Sequence, residues 1–442
     1  MATPIEIAVG IAASLDIRQV PQGAKHQARL VIADTLAVIQ AGSSFPEPSA
    51  LRAAYLKQGL LSAVNNGGSR VLNPGEALYT NAELAAYLNG TAGTFLELDE
   101  GMRPTGHAGI HVIPAALAVA EELGSSGEEL LAAVIAGYET FYRLFVGIAL
   151  EYPIHPHGHL GGVASAVSVA LLRGTDPVAA AAIAATSPVF SVWEPCYEGA
   201  TARNSWPGNA AQNGVRSQTM AEAGFTGSFR NLEIAFTEIA GSYRDESAMV
   251  APLDYESLGV NKNYFKFHSC CALNHAAVEA VEEILETVKP QDVESIVVDT
   301  VANNMKIDRL AHPNNLSSRF SLPYSVAARF LSDESSIEVF NYREDAAEFS
   351  RKVSINNAED LQELWPDSSP ARLRVTLNDG SIVESRVDNP RGHFKNPPGP
   401  NDLKEKFNTL WGNPRVSNGH WDSIMNLETA QNVADLFEVS PE

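Results

Sequence analysis

The chain is short of cysteine and of positive charge for its length, and each shortage removes a class of function. Three cysteines in 442 residues, Cys196 and the adjacent pair Cys270–Cys271, cannot frame a disulfide-stapled secreted protein, so a reducing cytoplasm is expected. Lysine and arginine number 31 against 53 aspartates and glutamates, a formal charge of −22. Nucleic acid and anionic membrane both call for a basic face and are therefore not expected as partners. The N-terminal stretch lacks the basic start of a signal peptide. No Gly-x-Gly-x-x-Gly follows a strand, and no nucleotide cofactor is expected. The most apolar long run, 130–150, contains Glu139 and Arg143, which argues for a buried helix rather than a membrane span.

What is present points to helices. At 45% hydrophobic residues the chain can bury a large core and divides naturally into two domains. Helical spacing of apolar residues runs over about 5–15 and 24–41, then over 81–88. Ser126-Gly-Glu-Glu129 has the form of a capping box and starts a helix through about Leu150. Small residues make a helix of 161–172, Asp176-Pro177 starts another through about 185, and Ala210–Ala223 reads as one more. Pro114 suits a first helical position, leaving the polar residues before it on an irregular segment. The chain up to about 260 therefore reads as all-α.

The pattern then changes. After a helix over 276–288, Glu294–Val301 is β-branched and strand-like. Segments 371–377 and 381–387 flank Asn378-Asp-Gly380, a hairpin signal that needs positive φ at the turn. The run 389–400 is too rich in proline and glycine for regular structure, and closing helices are expected at 402–410 and 421–437.

Seven of the eleven histidines, His107, His111, His155, His157, His159, His268 and His275, fall in three short segments. Beside Arg103, Arg203 and Lys266 they form a candidate cationic pocket that the acidic surface otherwise lacks. The alternation His155-x-His157-x-His159 also permits a metal reading, but Pro156 and Gly158 disfavour the extended strand it requires, and no metal is expected. The cysteine pair has a nucleophile reading and a plainer one, burial near the site.

His107-Ala-Gly-Ile-His-Val-Ile-Pro114, His155-Pro-His-Gly-His-Leu-Gly-Gly162, Pro207-Gly-Asn-Ala-Ala-Gln-Asn-Gly214, Lys266-Phe-His-Ser-Cys-Cys-Ala-Leu-Asn-His275 and Ser321-Leu-Pro-Tyr324 occur in that order. Together they resemble the MmgE/PrpD family, which includes 2-methylcitrate dehydratases, cis-aconitate decarboxylases and iminodisuccinate epimerases. The resemblance implies a mainly α fold: a large helical domain made from both chain ends (1–265 and 396–442), a smaller inserted α+β domain (266–395), and a homodimer. It also implies cofactor-independent removal of a proton or of carbon dioxide beside a carboxylate. Lys266, His155, His107 and Tyr324 match catalytic positions; Arg103, Arg203, Glu97 and His157 are expected to contact a small anionic carboxylate.

Several positions depart from the family pattern. Aligned from His107, the pattern Asp-x-Asp-Asp-Thr reads Glu97-Leu-Asp-Glu-Gly101. Arg203 stands where a lysine is expected, Trp206 where a histidine is usual, and Ala272 where many dehydratases carry arginine. These changes argue against a hydroxy-tricarboxylate and favour an iminodisuccinate epimerase, with Lys266 and one of His107 or His155 flanking the carbon and Tyr324 donating a hydrogen bond. The alternatives are a 2-methylcitrate dehydratase-like hydro-lyase and a non-catalytic member that kept the fold.

Overall fold

The computed structural model describes residues 2–333 and 336–438; residues 1 and 439–442 of the expected helical domain and 334–335 of the expected α+β domain lie outside them. The protein is mainly α, with a smaller α+β portion. Its helical core is built around Gln22–Gly42, Ala108–Leu123, Gly127–Gly147 and Gly161–Arg173, which share one buried apolar cluster. Gly137 and Gly214 sit where helices touch: an added Cβ would lie 2.0 Å from Ser168 Oγ in the first case and 2.4 Å from Ser165 Cβ in the second. The small residues of Gly161–Arg173 thus let four neighbouring helices close around it.

Helix starts follow their caps. Ser126 accepts from Glu129 N–H while the Glu129 carboxylate accepts from Ser126 N–H, and Asp176 accepts from Val178 and Ala179. Gly127–Gly147 is long and apolar enough to cross a membrane, yet it is largely buried in the fold and carries the Arg143–Glu139 ion pair at 2.8 Å. Its end falls three residues earlier than the sequence pattern suggests. Ile148–Leu150 leaves the helix to pair with Gly241–Tyr243.

Further differences from the sequence expectations have local causes. The first 260 residues are not purely helical: Ser69–Val71 pairs with Leu78–Thr80, and Gly101–Met102 pairs with Asn263–Tyr264. Ladders of two or three residues are too short to leave an alternating pattern. Pro114 lies inside helix Ala108–Leu123 and not at its first turn, because Glu100 supplies an earlier cap by accepting from Gly109 N–H at 2.5 Å. The helix expected at 210–223 begins at Ser205, and the one expected at 421–437 is Pro414–Met425 followed by two short 3₁₀ turns.

A second buried cluster belongs mostly to residues 271–387. Its sheet has the order Ile382–Val387, Ala371–Leu377, Val293–Thr300, Val353–Asn357, antiparallel except for the last pair. At the hairpin tip only Gly380 takes positive φ, +85°. The chain then returns: Asp402–Trp411 packs on Gln22–Gly42, and residues from 403 to 436 join the helical cluster.

Candidate active site

The acidic loop 96–103 and the strand that carries Lys266 are zipped together before any chemistry is considered. Gly101 pairs with Tyr264, Met102 with Asn263, and Arg103 N–H donates to Lys262 O at 3.0 Å. Glu97 is the one described non-glycine residue with positive φ, +51°, a conformation costing about 1–3 kcal/mol that persists where surrounding contacts over-determine it. Those contacts are visible. Leu96 O accepts from Ser269 Oγ at 2.5 Å and from Arg319 Nη1 at 2.8 Å, and the Glu97 carboxylate is ion-paired with Arg203.

Above this loop lies a cavity of about 350 Å³. Glu97, Arg103, His107, His155, His157 and Lys266 all line it, six of the eight residues named from sequence. Arg203 and Tyr324 do not. Arg203 sits behind Glu97, clamped over the rings of Trp206 and Phe320, so its charge is spent on a protein carboxylate. Tyr324 is placed elsewhere: its hydroxyl donates to Asn341 O at 2.6 Å and accepts from Arg343 N–H at 2.7 Å, an arrangement that ties two backbone segments together. Of the eight residues named from sequence, Arg203 and Tyr324 are therefore the two that the structure places outside the cavity lining.

Lys266 is held between two acids. Its Nζ lies 3.5 Å from Asp99 Oδ1 and 3.7 Å from Glu97 Oε2. Burial works against the ammonium, but Asp99 and Glu97 outweigh it and hold Lys266 above the ordinary lysine range. Burial likewise works against the Asp99 carboxylate, and Lys266, His107 and Arg203 together hold it well below the usual range. A lysine kept charged in this way is suited to stabilising negative charge.

His107 is the group with a free lone pair. Its Nδ1 lies 2.9 Å from Glu100 O, which can only accept, so Nδ1 carries the proton; Asp99 Oδ2 is 3.0 Å from the same nitrogen. Neutral His107 therefore keeps its lone pair on Nε2, which no hydrogen bond among the described residues engages. His157 stacks on this ring at 4.4 Å and His155 on His157 at 5.1 Å. Burial is the main cause that holds both His155 and His157 well below the ordinary histidine range, followed by Arg203 for the first and His107 for the second. His155 Nδ1 accepts from His157 N–H at 3.2 Å. His155 and His157 are thus uncharged at neutral pH.

His111 and His159 are structural. His111 donates from Nδ1 to His107 O at 2.6 Å and accepts at Nε2 from Gly158 N–H at 2.9 Å, while His159 donates from Nε2 to His155 O at 2.7 Å. Burial drops both to about 4. Cys271 reaches the cavity wall, but burial pushes its thiol up to about 11, so it is no nucleophile at neutral pH.

Asp99, His107 and His157 offer ligand atoms within 4.8 Å of one another and are the one described cluster with the spacing of a metal site. Two features oppose a cation there: the Lys266 ammonium beside Asp99, and the commitment of His107 Nδ1 as a donor to Glu100. The same geometry serves to orient the imidazole.

Sequence reasoning missed three groups. Asp99 stands two residues from Glu97, and that spacing of acids was its only signal. Glu100 is hidden support: it caps the helix that starts after His107 and accepts from Tyr138 Oη at 3.1 Å. Lys306 lines the cavity from the other core, on a short 3₁₀ turn after strand Val293–Thr300, and no motif surrounds it.

Residues 8–238 match the MmgE/PrpD N-terminal domain and residues 268–430 the MmgE/PrpD C-terminal domain. The chain is similar to cis-aconitate decarboxylase of Aspergillus terreus, 24% identical over 471 aligned positions that cover 97% of this chain and 94% of the relative. It is 27% identical to cis-aconitate decarboxylase of Homo sapiens over 390 positions, covering 80% and 77%, and 25% identical to that of Mus musculus over 355, covering 73% and 70%.

Proposed function

Because the chain belongs to the MmgE/PrpD family, we propose that it is an enzyme that generates a carbanion-like centre beside a carboxylate in a small di- or tricarboxylate. One observation carries this reading. His107 presents an unshared Nε2 lone pair to the same cavity as Lys266, an ammonium pinned by Asp99 and Glu97. His107 takes the α-proton; the electron pair left on carbon spreads into the adjacent carboxylate, and the Lys266 ammonium offsets that charge. Fixed donors of this kind need no rearrangement as charge develops.

The cavity's charge fits an anion. Arg103, Arg244 and Lys306 line it, and none of them makes an ion pair among the described residues, whereas Lys266 and Arg203 are balanced by Asp99 and Glu97. Arg103 is stacked on Tyr264, with Trp365 beyond, which leaves its fork to pair with both oxygens of a carboxylate.

Within this class the reading carried forward is epimerisation of iminodisuccinate in the cytoplasm by a homodimer. Epimerisation needs a proton carrier on each side of the carbon, and His155, which lines the same cavity as His107, is the second group proposed for it. The second reading is decarboxylation of a cis-aconitate-like acid, favoured by the relatives' own names.

Proton NMR in deuterated water separates the two. Wild-type enzyme given iminodisuccinate should exchange its α-hydrogen for deuterium with no loss of carbon; given cis-aconitate, the second reading expects release of carbon dioxide and a new alkene signal. A hydro-lyase would show water lost or gained across a double bond. Exchange with none of a panel of di- and tricarboxylates would reject the enzymatic reading and leave a non-catalytic member.

A further inference from the structure

We infer that Lys306 binds the carboxylate of the substrate farthest from the reacting carbon and thereby restricts the enzyme to acids with two or more carboxylates. This rests on the cavity being a carboxylate site, and it names the residue that reads substrate class there.

The first ground is what surrounds the other cations. Lys266 and Arg203 are neutralised by Asp99 and Glu97; Arg319 is consumed by Leu96 O, Ser269 O and Asn341 Oδ1; Arg244, also on the cavity wall, donates to Phe145 O at 3.0 Å; Arg103, on the loop that carries the acids, is stacked on Tyr264. Lys306 alone among the cavity's cations comes from the sheet-containing core. It makes no ion pair with any described carboxylate.

Position is the second ground. Lys306, Leu150 and Asn303 belong both to the 350 Å³ cavity and to an adjoining hollow of about 440 Å³, so the ammonium stands at their junction. The same cavity is also lined by Leu150, Ile154, Leu273 and Phe320, apolar surface that suits the hydrocarbon part of a dicarboxylate. Trp193 packs against His155 at 4.5 Å and holds Lys306 Nζ 5.0 Å from its own ring centroid, fixing the charge without neutralising it.

The groups around the ammonium do not compete for it. Cys271 faces it as a thiol and His155 as a neutral ring; Tyr152 and Tyr197 share the outer hollow; Asp308 and Arg309, also there, lie 3.3 Å from each other. Burial accordingly draws Lys306 down to about 8. An incoming carboxylate is the missing counter-charge.

Calorimetric binding of butyrate, succinate and tricarballylate to wild type, Lys306→Met and Lys306→Arg tests the assignment, with circular dichroism confirming that each variant folds. Wild type should bind succinate and tricarballylate at least about tenfold more tightly than butyrate at pH 7, and that preference should fade as pH rises through about 8. Lys306→Met should bind all three like butyrate at every pH. Lys306→Arg should keep the preference and lose its pH dependence. A folded Lys306→Met that still prefers the polyacids overturns the role of Lys306 and leaves the carboxylate site standing; failure of wild type to bind any of the three acids overturns both.

Discussion

The cavity has two kinds of positive charge, and they differ in what they answer to. On the floor Lys266, and behind it Arg203, are buried against Asp99 and Glu97, so each cation already has its counter-ion. On the walls, Arg103 and Lys306 face aromatic rings and make no ion pair among the described residues. A balanced buried pair is strongly held and hard to titrate; an unbalanced cation gains its partner only when an anion arrives. The same residue type can therefore serve as fixed electrostatic scaffold in one place and as ligand recognition in another, and the neighbours decide which.

The sharpest way to break the contrast is to remove the base that the floor positions. His107→Gln should lower kcat by about 10²–10⁴, the usual contribution of a general base, with substrate binding little changed in calorimetry. Arg203→Met comes next and acts on folding. It strips Glu97 of its closest partner, and breaking a buried pair of this kind should cost about 3–5 kcal/mol in urea unfolding. Arg103→Met is the matching change on the wall. It removes a buried cation that makes no ion pair among the described residues, so stability should stay within about 1 kcal/mol of wild type, while KM rises about tenfold or more through loss of a charged hydrogen bond. Equal effects of the two arginine substitutions on stability would erase the distinction between floor and wall.

The smallest effect concerns the support beneath His107. Burial, reinforced by Asp34 and Asp99, pushes Glu100 from the usual 4.5 up to about 8. Between those values the folded protein holds a proton that the unfolded chain has lost, so Glu100 makes stability fall as pH rises through that window. Glu100→Gln keeps the shape without the proton and should flatten this slope, measured by denaturant unfolding at several pH values. A slope equal to that of wild type would mean that Glu100 is already ionised in the folded protein.

Much of the site was legible in the sequence, for a physical reason. His107, His155 and Lys266 sit on short segments whose local chemistry is dense, and such segments stand out in one dimension. Tyr324 shows the limit: a tyrosine within a recognisable motif still ended up tying Asn341 to Arg343, because its direction is set by the helix Leu322–Phe330 on which it rides. Lys306 shows the opposite limit. A lone lysine between Met305 and Ile307 carries no sign of the cavity it enters, since its function comes from a meeting of two cores. The fold was read well where caps and glycines mark long helices and less well where ladders of two or three residues close a loop, as at Gly101–Met102. That pairing depends on a contact more than 150 residues away in sequence, Gly101 with Tyr264.

Floor and wall can be compared in a single sample by following the side-chain ¹³Cε signals of the lysines through a pH titration, with Lys266→Arg and Lys306→Arg used to assign the two resonances. Lys306 should titrate with a midpoint of about 8, and Lys266 should remain flat to about pH 10, near where an ordinary lysine is half-charged. A Lys266 signal that titrates near neutral pH would mean that Asp99 and Glu97 do not hold it charged, and the division between fixed floor and receptive wall would be lost.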